Sequence, residues 1–363
     1  MPTSARGEVG VRTAIERPST GRCAKATAGR LFGFLRIAVG LGLLCYLLTK
    51  VDLASAWAVM RLAQPGWLIV ATLSFLGFLV ISNWRWKILL DARSLRFSFG
   101  YLLRVYLISW MFNNILPTSI GGDVARIAYT ARGGRKAIAF AATLVDRIVG
   151  FVGLFFFALV MSVVLWFVTH THWYLALNLF GFLGLVAITL ILFSDRAYRV
   201  AARVCQRIRI FRLGERIDTI YCAVKEYRSA RVALVWSFLT SLLLQFTLAL
   251  TWYTTARSVD GRALLLYFCL LIPIIGVITM VPISIGGLGV RENSFRVFFT
   301  AERMSNHLTQ EQAIATALLY LVITILFALV GAVVFLLTRR TSLDAPSQGS
   351  GLLSRSSAPI KTT

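Results

Sequence analysis

An all-α polytopic membrane protein is the fold class this sequence predicts, and three observations predict it. Apolar residues make up 58% of the chain and the mean hydropathy is +0.75, beyond what a soluble core needs. They gather in long uninterrupted runs, not in the alternating ten-residue segments of a membrane barrel, so helices must satisfy the backbone in lipid. Basic residues fill the stretches between the runs, where the positive-inside bias puts them. The expected architecture is about six full spans and two re-entrant helical segments, eight apolar segments arranged as an inverted repeat.

Along the chain, residues 1–30 are polar, basic and rich in Gly, Ser and Thr, the composition of a disordered cytoplasmic tail. The first span is Leu31 to Thr49. It is too long for a signal-peptide core, and Ala54-Ser55-Ala56 lies beyond Lys50 and Asp52, so it reads as a retained anchor. Full-length spans follow at Trp67 to Ile81, Ile148 to Thr169, Trp173 to Phe193, Val232 to Thr255 and Ile314 to Thr338. Trp57, Trp67, Trp84, Trp86, Trp173 and Trp252 fall at or near span ends, where interfacial aromatics belong. Residues 194–231 are a basic loop with apolar residues at helical spacing, such as Tyr198, Ala201, Cys205 and Ile208. That segment reads as an amphipathic element on the inner leaflet or as a solvated connector. Residues 341–363 form a polar tail containing Ser and Pro. The membrane domain is therefore 31–340, with halves of about 31–193 and 232–340.

Two apolar segments differ from the rest: Tyr101 to Leu116 and Ala263 to Val281 each end at a proline followed by a diglycine. As ordinary spans they would put the basic stretches after Ser82 and after Phe193 on opposite sides of the membrane. As hairpins that dip in and return, they collect Arg85, Lys87, Arg93, Arg96, Arg126 and the run from Arg196 to Arg231 on one face, with both termini cytoplasmic. One hairpin then enters from each side. The sequence echoes itself at the two breaks, Pro117-Thr118-Ser119-Ile120-Gly121-Gly122 against Pro282-Ile283-Ser284-Ile285-Gly286-Gly287, with five of six positions shared.

Interrupting a membrane helix exposes backbone groups, so breaks persist where they face protein or a polar cavity. Each break leads into a new helical pattern, Asp123 to Ala131 and Val290 to Thr300. The free N–H groups and positive dipole end at such a start suit a phosphate. Ser119, Gly121, Gly122, Ser284, Gly286, Gly287 and Gly289 would let a headgroup approach the backbone, and Arg126 and Arg291 would add fork-shaped contacts. Asp123 and Glu292 fit the dipole, and could equally hold the arginines when the site is empty or take a cationic headgroup or proton. Asn113 and Asn114 precede the first break. Asp146 and Arg147 open a long span, where an ionised side chain costs about 2.5–3.5 kcal/mol on insertion scales. Each therefore faces a cavity or a partner.

The net charge of +23 raises nucleic acid as a partner, but the distribution of the arginines is that of membrane topology, with anionic headgroups as a secondary contact. Five scattered cysteines lack metal or redox spacing, and His170 and His172 stand in a short turn with no carboxylate cluster. No nucleotide-binding P-loop or hydrolase elbow occurs. No cofactor, metal or catalytic residue is assigned.

The motifs Asn114-Ile115-Leu116-Pro117, Gly121-Gly122-Asp123-Val124-Ala125-Arg126, Asp146-Arg147 and Pro282 to Glu292 together resemble the transmembrane region of lysylphosphatidylglycerol synthases, a family of flippase-like domains. The resemblance runs from about Leu31 to Arg340 and implies movement of a lipid between leaflets through a polar cavity between two halves. Some relatives carry a soluble aminoacyltransferase domain; only a short tail follows Arg340 here, so the expectation is a non-enzymatic lipid flippase of a bacterial inner membrane. The family's common Glu-Arg pair stands here as Asp146-Arg147. Membrane lipids are the expected partners, with a lipid-synthesising enzyme and a second copy of the chain as the protein partners the reading allows. The competing readings are a membrane enzyme of lipid or glycolipid biosynthesis and a scaffold that recruits a synthase.

Overall fold

The computed structural model describes residues 53–115, 121–131, 135–169, 173–193, 225–280, 289–300 and 307–340. Within them the chain is all α, with ten α-helices and no strand. The helices are α1 (Leu53–Arg61), α2 (Pro65–Asp91), α3 (Phe99–Ile115), α4 (Gly121–Thr130), α5 (Lys136–Thr169), α6 (Trp173–Phe193), α7 (Arg231–Ser258), α8 (Leu265–Met280), α9 (Val290–Phe299) and α10 (Gln310–Arg340). Four of them, α2, α5, α7 and α10, hold stretches long and apolar enough to cross a membrane; α6 and α8 hold shorter apolar stretches. The expected Leu31 to Thr49 span, both tails and most of the basic loop lie outside the described residues.

The helices from α2 to α5 have 27, 17, 10 and 34 residues, and those from α7 to α10 have 28, 16, 10 and 31. The same long, short, short, long order therefore occurs twice. A 16- or 17-residue helix is about 25 Å long, less than the ~30 Å hydrocarbon core. Each of these short helices packs on the last long helix of the other set, α3 on α10 and α8 on α5.

The most extensive packing is between α2 and α7. They run antiparallel: the Gln64 N–H, just before α2, donates to the Ser258 carbonyl at the end of α7 at 2.8 Å, and Arg85 near the other end of α2 reaches Ser241. The buried positions of α7 include Ser237, Ser241, Thr251, Thr254, Thr255 and Ser258. The Ser241, Thr251 and Thr255 hydroxyls donate to carbonyls one turn back at 2.7–2.9 Å. Small side chains satisfied within their own helix let a neighbour approach where lipid gives no hydrophobic drive to associate. Glycine does the same elsewhere. A Cβ on Gly153 of α5 would stand 2.4 Å from the Ser241 Cβ, and one on Gly331 of α10 would stand 2.2 Å from the Leu107 carbonyl oxygen of α3.

Two sequence expectations change here. The span read as ending at Ile81 continues to Asp91, because Asn83, Trp86, Leu89 and Leu90 carry its buried face onward at helical spacing. Arg85 is thus a helix residue inside the bundle, not a loop charge. Trp86 and Trp252, read as interfacial, are 0% and 2% exposed. Trp57 and Trp84, of the same reading, are exposed, at 54% and 49%. The short helix α1, packed on α10, was not anticipated.

A buried arginine and aspartate network

Helix α4 turns its polar side inward. Gly122, Asp123, Ala125, Arg126 and Thr130 are buried, while Val124 is 59% exposed. A membrane setting explains that inversion, since ionised groups there must face protein. The helix begins close against α3: a Cβ on Gly122 would lie 2.4 Å from the Ser109 carbonyl oxygen, and the Gly122 N–H donates to Asn113 Oδ1 at 2.9 Å. Asn113 therefore caps the new helix across the break. Asn114 instead donates to its own helix, at the Trp110 carbonyl.

Arg126 reaches α5. Its Nη2 donates to Asp146 Oδ2 at 2.9 Å, and the other Asp146 oxygen accepts from Arg85 Nε at 2.7 Å. Arg85 Nη1 also donates to Ser241 Oγ at 3.0 Å, which ties the network to α7. Asp123 accepts from Arg147 Nε and lies 3.6 Å from Arg126 Nη1. The adjacent Asp146 and Arg147 thus do not pair with each other. The chain of charges grades from a one-third exposed Arg147 side chain, through Asp123, to Arg126 and Asp146 at 6% and 3%. The Arg126 guanidinium also lies over the rings of Trp86 and Tyr106, with centroid distances of 4.3 and 5.2 Å.

A second cluster forms where the other diglycine leads into α9. Gly289 has φ 77°, a backbone conformation natural to glycine. Its N–H donates to Glu292 Oε2 at 2.7 Å, and Glu292, fully buried, accepts from Arg291 Nη2 at 3.0 Å. Glu292 occupies the first turn, as Asp123 does in α4, where the helix dipole favours it. Arg291 lies over Tyr320 at 5.0 Å, and Tyr320 stacks on Trp252 at 3.9 Å.

The two clusters correspond at their arginines, each four residues after a diglycine, and at the residues of the long helices that face them, although Asp123 and Glu292 do not fall at matching positions. Trp86 and Trp252 stand equally far from the starts of α2 and α7, as Asp146 and Tyr320 do from the starts of α5 and α10. Because each tryptophan lies near the C-terminal end of its helix and the two helices are antiparallel, the clusters sit toward opposite ends of the pair. Their chemistry differs. The position that gives Arg126 a carboxylate gives Arg291 an aromatic face.

Arg85, Ser241, Trp86, Tyr106, Trp252 and Tyr320 were missed as site residues when the sequence was read. The recurrence of Asn83, Trp86 and Leu90 along one helical face was the available signal for the first helix; nothing local marks Tyr106 or Tyr320. Ser119, Ser284, Gly286 and Gly287 lie outside the described residues. Among the described residues, no group of three His, Cys, Asp or Glu gathers as a metal site would require.

The sequence profile of the lysylphosphatidylglycerol synthase transmembrane region matches residues 33–332. The chain belongs to that family. Among curated proteins none matches the sequence significantly. Family membership ties this multi-pass membrane protein to lipid-related, flippase-like function. The transmembrane region is the non-catalytic part of the family's architecture.

Proposed function

We propose that the chain moves an anionic or lipid-linked substrate between the leaflets of a bacterial inner membrane, with two inverted halves that present Arg126 and Arg291 to the headgroup from opposite sides. The observation that carries this reading is the pair of corresponding clusters at opposite ends of α2 and α7. Each has an arginine four residues after a diglycine and a buried tryptophan, directly beneath Arg126 in one cluster and behind Tyr320 from Arg291 in the other. The repeated helix order and the five-of-six echo between the two breaks support an inverted repeat whose short helices are re-entrant. Asp123, Asp146 and Glu292 then hold the arginines between substrates, and a phosphate competes with them for the same fork-shaped donors. Cytoplasmic termini, a lipid-synthesising partner and a homo-oligomer belong to the same proposal. The basic run 194–231 would face the partner and the inner leaflet.

Purified protein in liposomes should accelerate leaflet exchange of a labelled anionic phospholipid. The Arg126→Ala plus Arg291→Ala variant, eluting as folded protein, should lose that activity by about 100-fold or more, as expected when two charge-assisted contacts are removed. Wild-type exchange no faster than in protein-free liposomes would end the transport reading.

A further inference from the structure

Most of the Arg126 fork is assigned, since Nη2 meets Asp146 and Nη1 faces Asp123. Among the described residues its Nε–H finds no acceptor, although the residue is 5% exposed. Beside it is a second such donor: the indole N–H of Trp86, whose ring lies 4.3 Å beneath the guanidinium, is fully buried and also has no acceptor among the described residues. Other buried donors, such as the Arg257 and Arg296 Nε–H groups, share this state, but here two of them lie on stacked side chains inside a charged network, where interiors pair their polar groups and hydrocarbon penalises any that stay single. Burial rises stepwise from Arg147 through Asp123 to Arg126, so the charged side chains lead inward from their more exposed end.

We infer that the Trp86 Nε1–H and Arg126 Nε–H form a donor pair for one anionic oxygen of a phosphate group, making Trp86 a headgroup-binding residue of the first half only. It rests on the transport reading above for the identity of the ligand as a lipid. The second half offers no match, because Trp252 there is stacked between Tyr320 and Phe295, and Arg291 directs its Nε–H to Glu292. The two halves would then hold the headgroup unequally, with the tighter grip at the end of the bundle that contains Trp86.

Trp86→Phe removes the donor and keeps an aromatic face under Arg126. Thermal unfolding of the full chain in neutral detergent, with phosphatidylglycerol, phosphatidylcholine or soluble glycerol 3-phosphate added, reads binding without requiring transport. Wild type should be stabilised by phosphatidylglycerol and not by phosphatidylcholine. Trp86→Phe leaves a small void and should unfold somewhat below the wild-type midpoint without lipid; measured from its own lipid-free midpoint, it should need at least about tenfold more phosphatidylglycerol for the same shift, the effect of one lost charge-assisted hydrogen bond. An equal response of the two proteins to phosphatidylglycerol would overturn the inference and leave the donors to a water molecule. A glycerol 3-phosphate response that depends on Trp86 keeps the phosphate site and makes its source a soluble anion. If Trp86→Phe does not fold, Arg126→Lys, which keeps the charge and deletes the fork, takes its place; undiminished phosphatidylglycerol binding by that variant overturns the inference. A wild type that binds phosphatidylglycerol through Trp86 yet exchanges no lipid sinks the transport reading and leaves this one standing.

Discussion

Asp146 accepts from Arg85 on one oxygen and from Arg126 on the other, and the side chain is 3% exposed. Its removal leaves two guanidinium groups in a membrane interior without a second carboxylate of comparable geometry, because Asp123 stands 3.6 Å from Arg126. Breaking a buried ion pair in this way costs about 3–5 kcal/mol, most of it the stranded charge. Asp146→Ala should therefore lower stability by that amount, measured by denaturant unfolding in micelles, whereas Asp123→Ala, at the better-exposed end of the network, should cost clearly less. Equal losses would contradict the graded burial from which the hierarchy follows. Arg147 next to it has its own partner in Asp123, so adjacency in sequence did not mean partnership in space.

At the scale of helices, the short segments are held by close approaches to the long ones. Gly331 is the clearest case: an added Cβ would meet the Leu107 carbonyl at 2.2 Å and its carbon at 2.9 Å, backbone atoms that cannot rotate away. Gly331→Ala must separate α3 from α10, and overpacking of this kind typically costs about 1–3 kcal/mol. The expected result is a lower midpoint of thermal unfolding together with slower lipid exchange. Gly184→Ala, with nothing within 4 Å of the added carbon, is the matched control and should leave both unchanged. A loss as large in Gly184→Ala would mean that helix glycines are sensitive here for reasons other than packing. The span boundaries follow similar local logic: Val232 to Thr255 and Ile314 to Thr338 each extend by a few residues as α7 and α10, and Trp173 to Phe193 is α6 without change.

For the whole molecule, the proposed inverted arrangement has a consequence that labelling can read. In a cysteine-free background, a cysteine placed at Thr118 and one placed at Ile283 should react with an impermeant reagent from opposite sides of the membrane. Reaction of both from the same side would contradict two halves of opposite orientation. The packing of α3 on α10 and of α8 on α5 means that neither half is complete alone, so co-expressed halves split within 194–231 should associate more readily than either half folds.

Read by itself, the sequence determined the helical class, the order of long and short apolar segments, the two breaks and the family, because hydropathy, proline and glycine act on residues close together along the chain. It also placed carboxylates and arginines at the helix starts. The tertiary structure decided which of these groups meet. Arg85 reaches Asp146 across 61 residues and Ser241 across 156, and the choice among several arginines and aspartates depends on which helix faces turn inward. That choice comes from the summed packing of small side chains and glycines between helices, a property no single stretch of sequence carries. The same packing buried Trp86 and Trp252, which local rules had assigned to the membrane surface.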